Sequence, residues 1–263
     1  MPLAVLMMID GLRPDPLIEN EARFKSLSAV RRRGSWCFNA SSIMPSVTLP
    51  CHMSIFHSVL PARHGVTSNQ WVPMQDPFPG LVEVVHEANM RTAMFYSWEK
   101  VRDVARAGNL SYSFFIDEKY TLPHGDAAIL EEALRYLSTP QNGLAFIYFG
   151  SVDTAGEKYG WMTEGYLDQV EFIDKLLGKL LSALPADATI LALADHGGHD
   201  LGHGTDRPED MTIPWMIAGP GIRQNYQIQK PVTLLDTAPT IAHILGIEPP
   251  AQWDGRYIEE IFK

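Results

Sequence analysis

Short apolar runs alternate along the chain with longer stretches in which apolar residues return every three or four positions. The runs at 3–9, 91–97, 144–150, 189–194 and 214–218 read as strands. Ala145-Phe146-Ile147-Tyr148-Phe149 lacks polar alternation, as expected of a central strand covered on both faces. The stretches 17–33, 126–137 and 166–184 read as amphipathic helices. In the last of these, Leu167, Val170, Ile173, Leu177, Leu180 and Leu181 make one apolar stripe. Two irregular stretches interrupt the pattern, a proline- and aromatic-rich loop at 71–80 and the segment 98–123. They predict small cap elements at 66–80 and 98–123.

Strands that alternate with helices argue for an α/β fold with three layers, α/β/α, around a largely parallel central sheet. At 263 residues and 46% hydrophobic content, the chain can form one domain, 1–263, around a single large core. Ligands of such sheets bind beyond the carboxyl ends of the strands. There the sequence places Asp10 after Ile9, Asp153 after Gly150, and Asp195-His196 after Ala194.

The net charge of -10 changes the picture of possible partners. An acidic surface disfavours a nucleic acid polymer. It also repels a phosphate ester unless bound cations invert the local field, so an anionic small-molecule substrate would require metal. The cysteines, Cys37 and Cys51, are too few for a disulfide framework. The apolar run at 3–9 is too short to span a membrane and has no basic stretch before it. The expected location is cytoplasmic, with no membrane partner.

Four segments carry candidate chemistry. In Pro45-Ser46-Val47-Thr48-Leu49-Pro50-Cys51-His52 a helix is expected to begin at Thr48, with Pro50 tolerated in its first turn. Capping the helix is the ordinary role of such a threonine. Its hydroxyl can also act as a nucleophile if a cation lowers its pKa. Asp195-His196-Gly197-Gly198-His199-Asp200-Leu201-Gly202-His203 directly follows a buried strand, and its imidazoles and carboxylates suit zinc, manganese or iron. A solvated histidine-rich loop is the bland alternative. Asp153 and Glu157, four apart, share a helical face; alone they are an ordinary acidic helix start. Asp10-Gly11 is an ordinary turn by itself. Together the four segments supply what two-metal phosphoryl transfer requires.

These segments resemble the alkaline phosphatase superfamily, and most closely its nucleotide pyrophosphatase/type I phosphodiesterase branch. The resemblance extends through Arg63-His64-Gly65-Val66, Asp153-Thr154-Ala155-Gly156, Asp195-His196-Gly197, His203-Gly204, Ile213-Pro214 and Gly219-Pro220-Gly221. It implies one metal held by Asp10, Thr48, Asp195 and His196, and a second held by Asp153, the residue at 157, and His203. The ions would be two divalent metals, zinc first, with manganese or iron as alternatives. It also implies a phosphothreonine intermediate that water then hydrolyses.

The chain departs from that pattern at two places. Glu157 stands where the family has histidine, which favours a harder metal at the second site. Cys51 stands where the branch often has an asparagine that donates to the phosphoryl oxygen; its backbone N–H is the expected substitute. His199 is expected to contact substrate or to serve as an alternative ligand to His203, and His52 is assigned to ordinary packing. The expected activity is hydrolysis of a phosphodiester or nucleotide pyrophosphate. A phosphomonoesterase or phosphonate hydrolase with the same site is the near alternative. A catalytically impaired metal- or phosphate-binding protein is the alternative of another class.

Overall fold

The computed structural model describes residues 2–106, 108–117 and 125–263. Eight strands form one sheet: β1 (Leu3–Ile9), β2 (Ser35–Ser41), β3 (Arg91–Tyr96), β4 (Tyr112–Phe115), β5 (Gly143–Phe149), β6 (Ala188–Leu193), β7 (Thr212–Ala218) and β8 (Tyr226–Gln227). Their order is β4-β3-β5-β1-β6-β7-β2-β8. The run β4-β3-β5-β1-β6 is parallel, while β7 is antiparallel to both β6 and β2. The helices are α1 (Asp15–Glu19), α2 (Lys25–Arg33), α3 (Thr48–His57), α4 (Pro61–His64), α5 (Leu81–Glu87), α6 (Gly125–Leu137), α7 (Ser151–Tyr159), α8 (Glu164–Ala183), α9 (Pro208–Met211) and α10 (Thr237–Leu245). One layer is built on α8, which packs against α2, α6 and α7; the other joins α3, α5 and α10. The expected three-layer architecture is the observed one.

β1 and β5 are buried at every position, as their unbroken apolar runs require. Three expectations are corrected. The single helix at 17–33 is two helices, because Asp174 of α8 accepts the N–H groups of Ser26 (2.9 Å) and Leu27 (2.8 Å) and restarts the helix there. Part of the expected cap at 98–123 is β4, an edge strand paired with β3; residues 107 and 118–123 of that segment lie outside the described residues. The strand expected at 214–218 starts at Thr212 and runs against its neighbours. Among the described residues no helix is long and apolar enough to cross a membrane.

α3 lies over the centre of the sheet. Its Phe56 meets Phe146 of β5 edge-on, with ring centroids 5.0 Å apart, and both rings are fully buried. Phe146 therefore seats the helix whose first residue is Thr48. Phe146→Ala should cost about 3–5 kcal/mol of stability in urea denaturation, because the cavity lies under a packed helix that cannot collapse into it. A loss below about 1 kcal/mol would mean that α3 is not seated by this contact.

Candidate active site

The carboxyl ends of the parallel strands converge as the alternation predicts. Asp10 follows β1, Asp195 and His196 follow β6, and Asp153 lies in the first turn of α7 after β5. Gly11 permits this approach. It has φ +70°, and a Cβ there would come within 2.9 Å of the Asp153 Cα. The Gly11 carbonyl is held by Trp161 Nε1 (2.9 Å) and the Tyr166 hydroxyl (3.1 Å). Behind α7, buried Asp126 accepts hydrogen bonds from Ser97 Oγ (3.2 Å), Gly150 N (3.3 Å), Ser151 N (3.1 Å) and Ser151 Oγ. One carboxylate thus ties the end of β3 to the start of the helix that carries Asp153.

Thr48 opens α3 but is not its cap. Val47 occupies that position, and its side chain makes no capping bond. The Thr48 hydroxyl is left to face the strand ends, with Oγ1 3.3 Å from His196 Nε2. His196 Nδ1 donates to the Gly197 carbonyl at 2.8 Å, so Nε2 presents a lone pair. Asp10 Oδ1 lies 3.3 Å and Asp195 Oδ2 3.5 Å from that nitrogen. Each carboxylate has its other oxygen engaged. Tyr148 donates to Asp10 Oδ2, while Gly11 N (3.3 Å) and His196 N (3.0 Å) donate to Asp195 Oδ1. The inward oxygens, Asp10 Oδ1 and Asp195 Oδ2, are buried without a hydrogen bond.

Three oxygens and one nitrogen therefore converge, and the orphaned oxygens have no protein donor to offset their burial. Their chemistry fits a divalent cation of the zinc, manganese or iron type. A second group adjoins it: Asp153, His196 and His203. The rings of His196 and His203 stack 3.8 Å apart. His203 Nδ1 donates to the Ser46 carbonyl (2.9 Å), and its Nε2 lies 3.7 Å from Asp153 Oδ1.

Three expected residues are placed differently. Glu157 shares the Asp153 face of α7 and lines the cleft, but it is exposed at the rim and outside the group formed by Asp153 and the two histidines. Cys51 is buried against Ser42, with Sγ and Oγ 3.4 Å apart, and its N–H already donates to the Val47 carbonyl (3.0 Å). Neither group of Cys51 reaches the cleft, because its N–H is spent on the bond to the Val47 carbonyl inside the helix. His199 is bound to Asp210, Nδ1 to Oδ1 2.7 Å, rather than lining the cleft.

The donor expected from Cys51 is available on Asn69 instead. Its Oδ1 accepts the Leu49 N–H at 2.9 Å, which leaves the amide N–H groups for the cleft that Asn69 lines. The cleft has a volume of about 310 Å³ and includes Thr48, Asp10, Asp153 and His203, with Trp98 and Lys100 among its other walls. Spacing offered no signal for Asn69, since a loop brings it back over the helix start. Tyr148 did carry a signal: a tyrosine in a fully buried strand must find a partner for its hydroxyl.

Burial, and then the neighbouring charges of Asp195 and Asp153, raise the Asp10 carboxyl well above its usual range. Burial first and Asp153 second push Asp195 up to about 7. Burial, reinforced by the His203 ring, holds His196 well below the usual imidazole range, so the ring remains neutral. An acid raised in the folded state contributes stability below its unfolded pKa and loses it as pH rises through the folded one. With chelator present, the protein should therefore lose stability as pH rises from about 4 to about 7, and Asp195→Asn should flatten that slope. Melting temperatures across the range check this; equal slopes in the two proteins would contradict it.

The family model for type I phosphodiesterase / nucleotide pyrophosphatase matches residues 4–212. A phosphopentomutase of Herpetosiphon aurantiacus is 30% identical over 157 residues, which cover 59% of this chain and 37% of that protein. The chain thus spans well under half of that relative's length. Murine ectonucleotide pyrophosphatase/phosphodiesterase 5, as an inactive variant with AMP, superposes with TM-score 0.82 at 12% identity over 99% of both chains. The phosphonate monoester hydrolase of Silicibacter pomeroyi gives TM-score 0.79 at 15% identity over all of this chain and 76% of its own. These likenesses carry the alkaline phosphatase-like fold, and with the match over 4–212 the chain belongs to the type I phosphodiesterase / nucleotide pyrophosphatase family.

Proposed function

We propose that this chain is a metal-dependent hydrolase of phosphodiester or nucleotide pyrophosphate bonds that uses Thr48 as its nucleophile. The observation that carries the reading is the position of Thr48 Oγ1, which is free of any capping bond and 3.3 Å from the nitrogen on which Asp10 and Asp195 converge. Asp10, Thr48, Asp195 and His196 would hold one divalent ion. Asp153 and His203 would hold the second, with Glu157 as the rim carboxylate closest in sequence to complete it. Zinc, manganese and iron suit these donors. The ions supply the charge that lowers the Thr48 pKa and neutralises the phosphoryl oxygens.

The chain's own groups do the rest. Thr48 gives its hydroxyl proton to solvent and Oγ1 bonds phosphorus as the P–O bond to the leaving group breaks; the departing alkoxide or phosphate takes up a proton from solvent. The Asn69 amide donates to a non-bridging oxygen on the opposite side from Leu49 N. Water then hydrolyses the phosphothreonine and restores the hydroxyl. The site is prearranged, since strand ends and buried hydrogen bonds fix each participant before substrate arrives.

The phosphopentomutase relative favours a second reading, in which the phosphoryl group passes from Thr48 to a hydroxyl of the substrate rather than to water. The partial coverage of that relative weakens this reading. A chromogenic phosphodiester, a chromogenic phosphomonoester and a pentose phosphate, each with added zinc or manganese, separate the possibilities. The diester should turn over, and Thr48→Ala should reduce kcat by roughly 10³-fold or more while bound metal stays close to the wild-type level. Equal rates in the two proteins reject Thr48 as nucleophile; isomerisation of the pentose phosphate without release of phosphate favours the mutase.

A further inference from the structure

α3 carries two buried histidines that make the same local bond. His52 Nδ1 lies 2.7 Å from the Thr48 carbonyl, and His57 Nδ1 lies 3.2 Å from that of Met53. Their other surroundings differ. His57 packs against Phe78, away from the strand ends. His52 Nδ1 also lies 3.5 Å from Asp195 Oδ2, and its ring meets Tyr148, the donor to Asp10, with centroids 5.4 Å apart. His52 is fully buried, and its Nε2 has no hydrogen-bond partner. An apolar ring would fill the same space without that desolvation cost, so packing alone does not call for histidine here.

We infer that His52 is a positioning residue: bonded to the Thr48 carbonyl and packed 3.5 Å from Asp195 Oδ2, it holds the spacing between the two and so shapes the first cation site. The carbonyl partner places the proton on Nδ1, and the same N–H lies close to the inward oxygen of Asp195. One side chain thus spans α3 and the end of β6, beside the link that Ser42 makes between Cys51 and the Asp195 carbonyl. The inference rests on the proposed cation site.

The pair His52→Asn and His52→Gln tests it, because asparagine can place an amide N–H near the Nδ1 position and glutamine places it near Nε2. His57→Gln is the control, since it loses the same local bond outside the site. Competition with a chromogenic chelator reads zinc affinity, and a chromogenic phosphodiester reads kcat and KM. His52→Gln should weaken the tighter zinc site by about 10–100-fold and lower kcat with little change in KM, the size of effect usual for groups that orient metal ligands. His52→Asn should recover most of both, and His57→Gln should leave both unchanged. Equal behaviour of His52→Asn and His52→Gln would overturn the inference. So would equal losses of melting temperature and zinc affinity in His52→Gln and His57→Gln. A wild-type protein that binds no zinc or manganese would overturn the cation site itself, a separate and recognisable outcome.

Discussion

Two buried carboxylates that face each other with no lysine or arginine between them are unstable as anions unless a cation joins them. Asp10 and Asp195 are in that situation. Among the described residues, their ion-pair partners are neutral imidazoles, and the oxygens turned inward accept no hydrogen bond. The rest of the site is arranged around this constraint. Tyr148 and two backbone N–H groups occupy the outward oxygens, and the Gly197 carbonyl takes the His196 proton. What remains is a set of lone pairs aimed at one point, with a threonine hydroxyl beside them.

The scaffold makes this aim precise through the sheet. β1 lies between β5 and β6 in continuous parallel register, so Asp10, Asp153 and Asp195 emerge at neighbouring strand ends. The loops are then held by buried bonds: Asp126 to Ser97, Gly150 and Ser151, and Trp161 and Tyr166 to Gly11. α3 crosses above, seated on Phe146, and presents its first residue to the same point. In an acidic molecule, the ions that balance these carboxylates would also make the cleft acceptable to an anionic ester.

Much of this was legible in the chain itself. The unbroken apolar runs gave the central strands, and acids just beyond those runs gave the metal-binding candidates, because strand direction fixes where a following residue emerges. Tertiary effects were harder to read. The break between α1 and α2 depends on Asp174 from a distant helix, and the edge strand β4 has too little buried surface to show a pattern. Cys51 illustrates a subtler limit. Its position in the motif suggested a substrate contact, yet helix periodicity turns the thiol inward and the helix uses its N–H, while a loop residue, Asn69, lines the cleft. His52 looked like packing and instead meets the Thr48 carbonyl and Asp195, which only the folded geometry reveals.

Anomalous scattering from a crystal grown with zinc tests the central claim most directly. The account predicts an ion bound by Asp10, Asp195, His196 and Thr48 at about 2.0–2.2 Å from their inward atoms, with a second ion beside Asp153 and His203. Full-length density with no ion between Asp10 and Asp195, or with the Thr48 hydroxyl turned away from them, would contradict it.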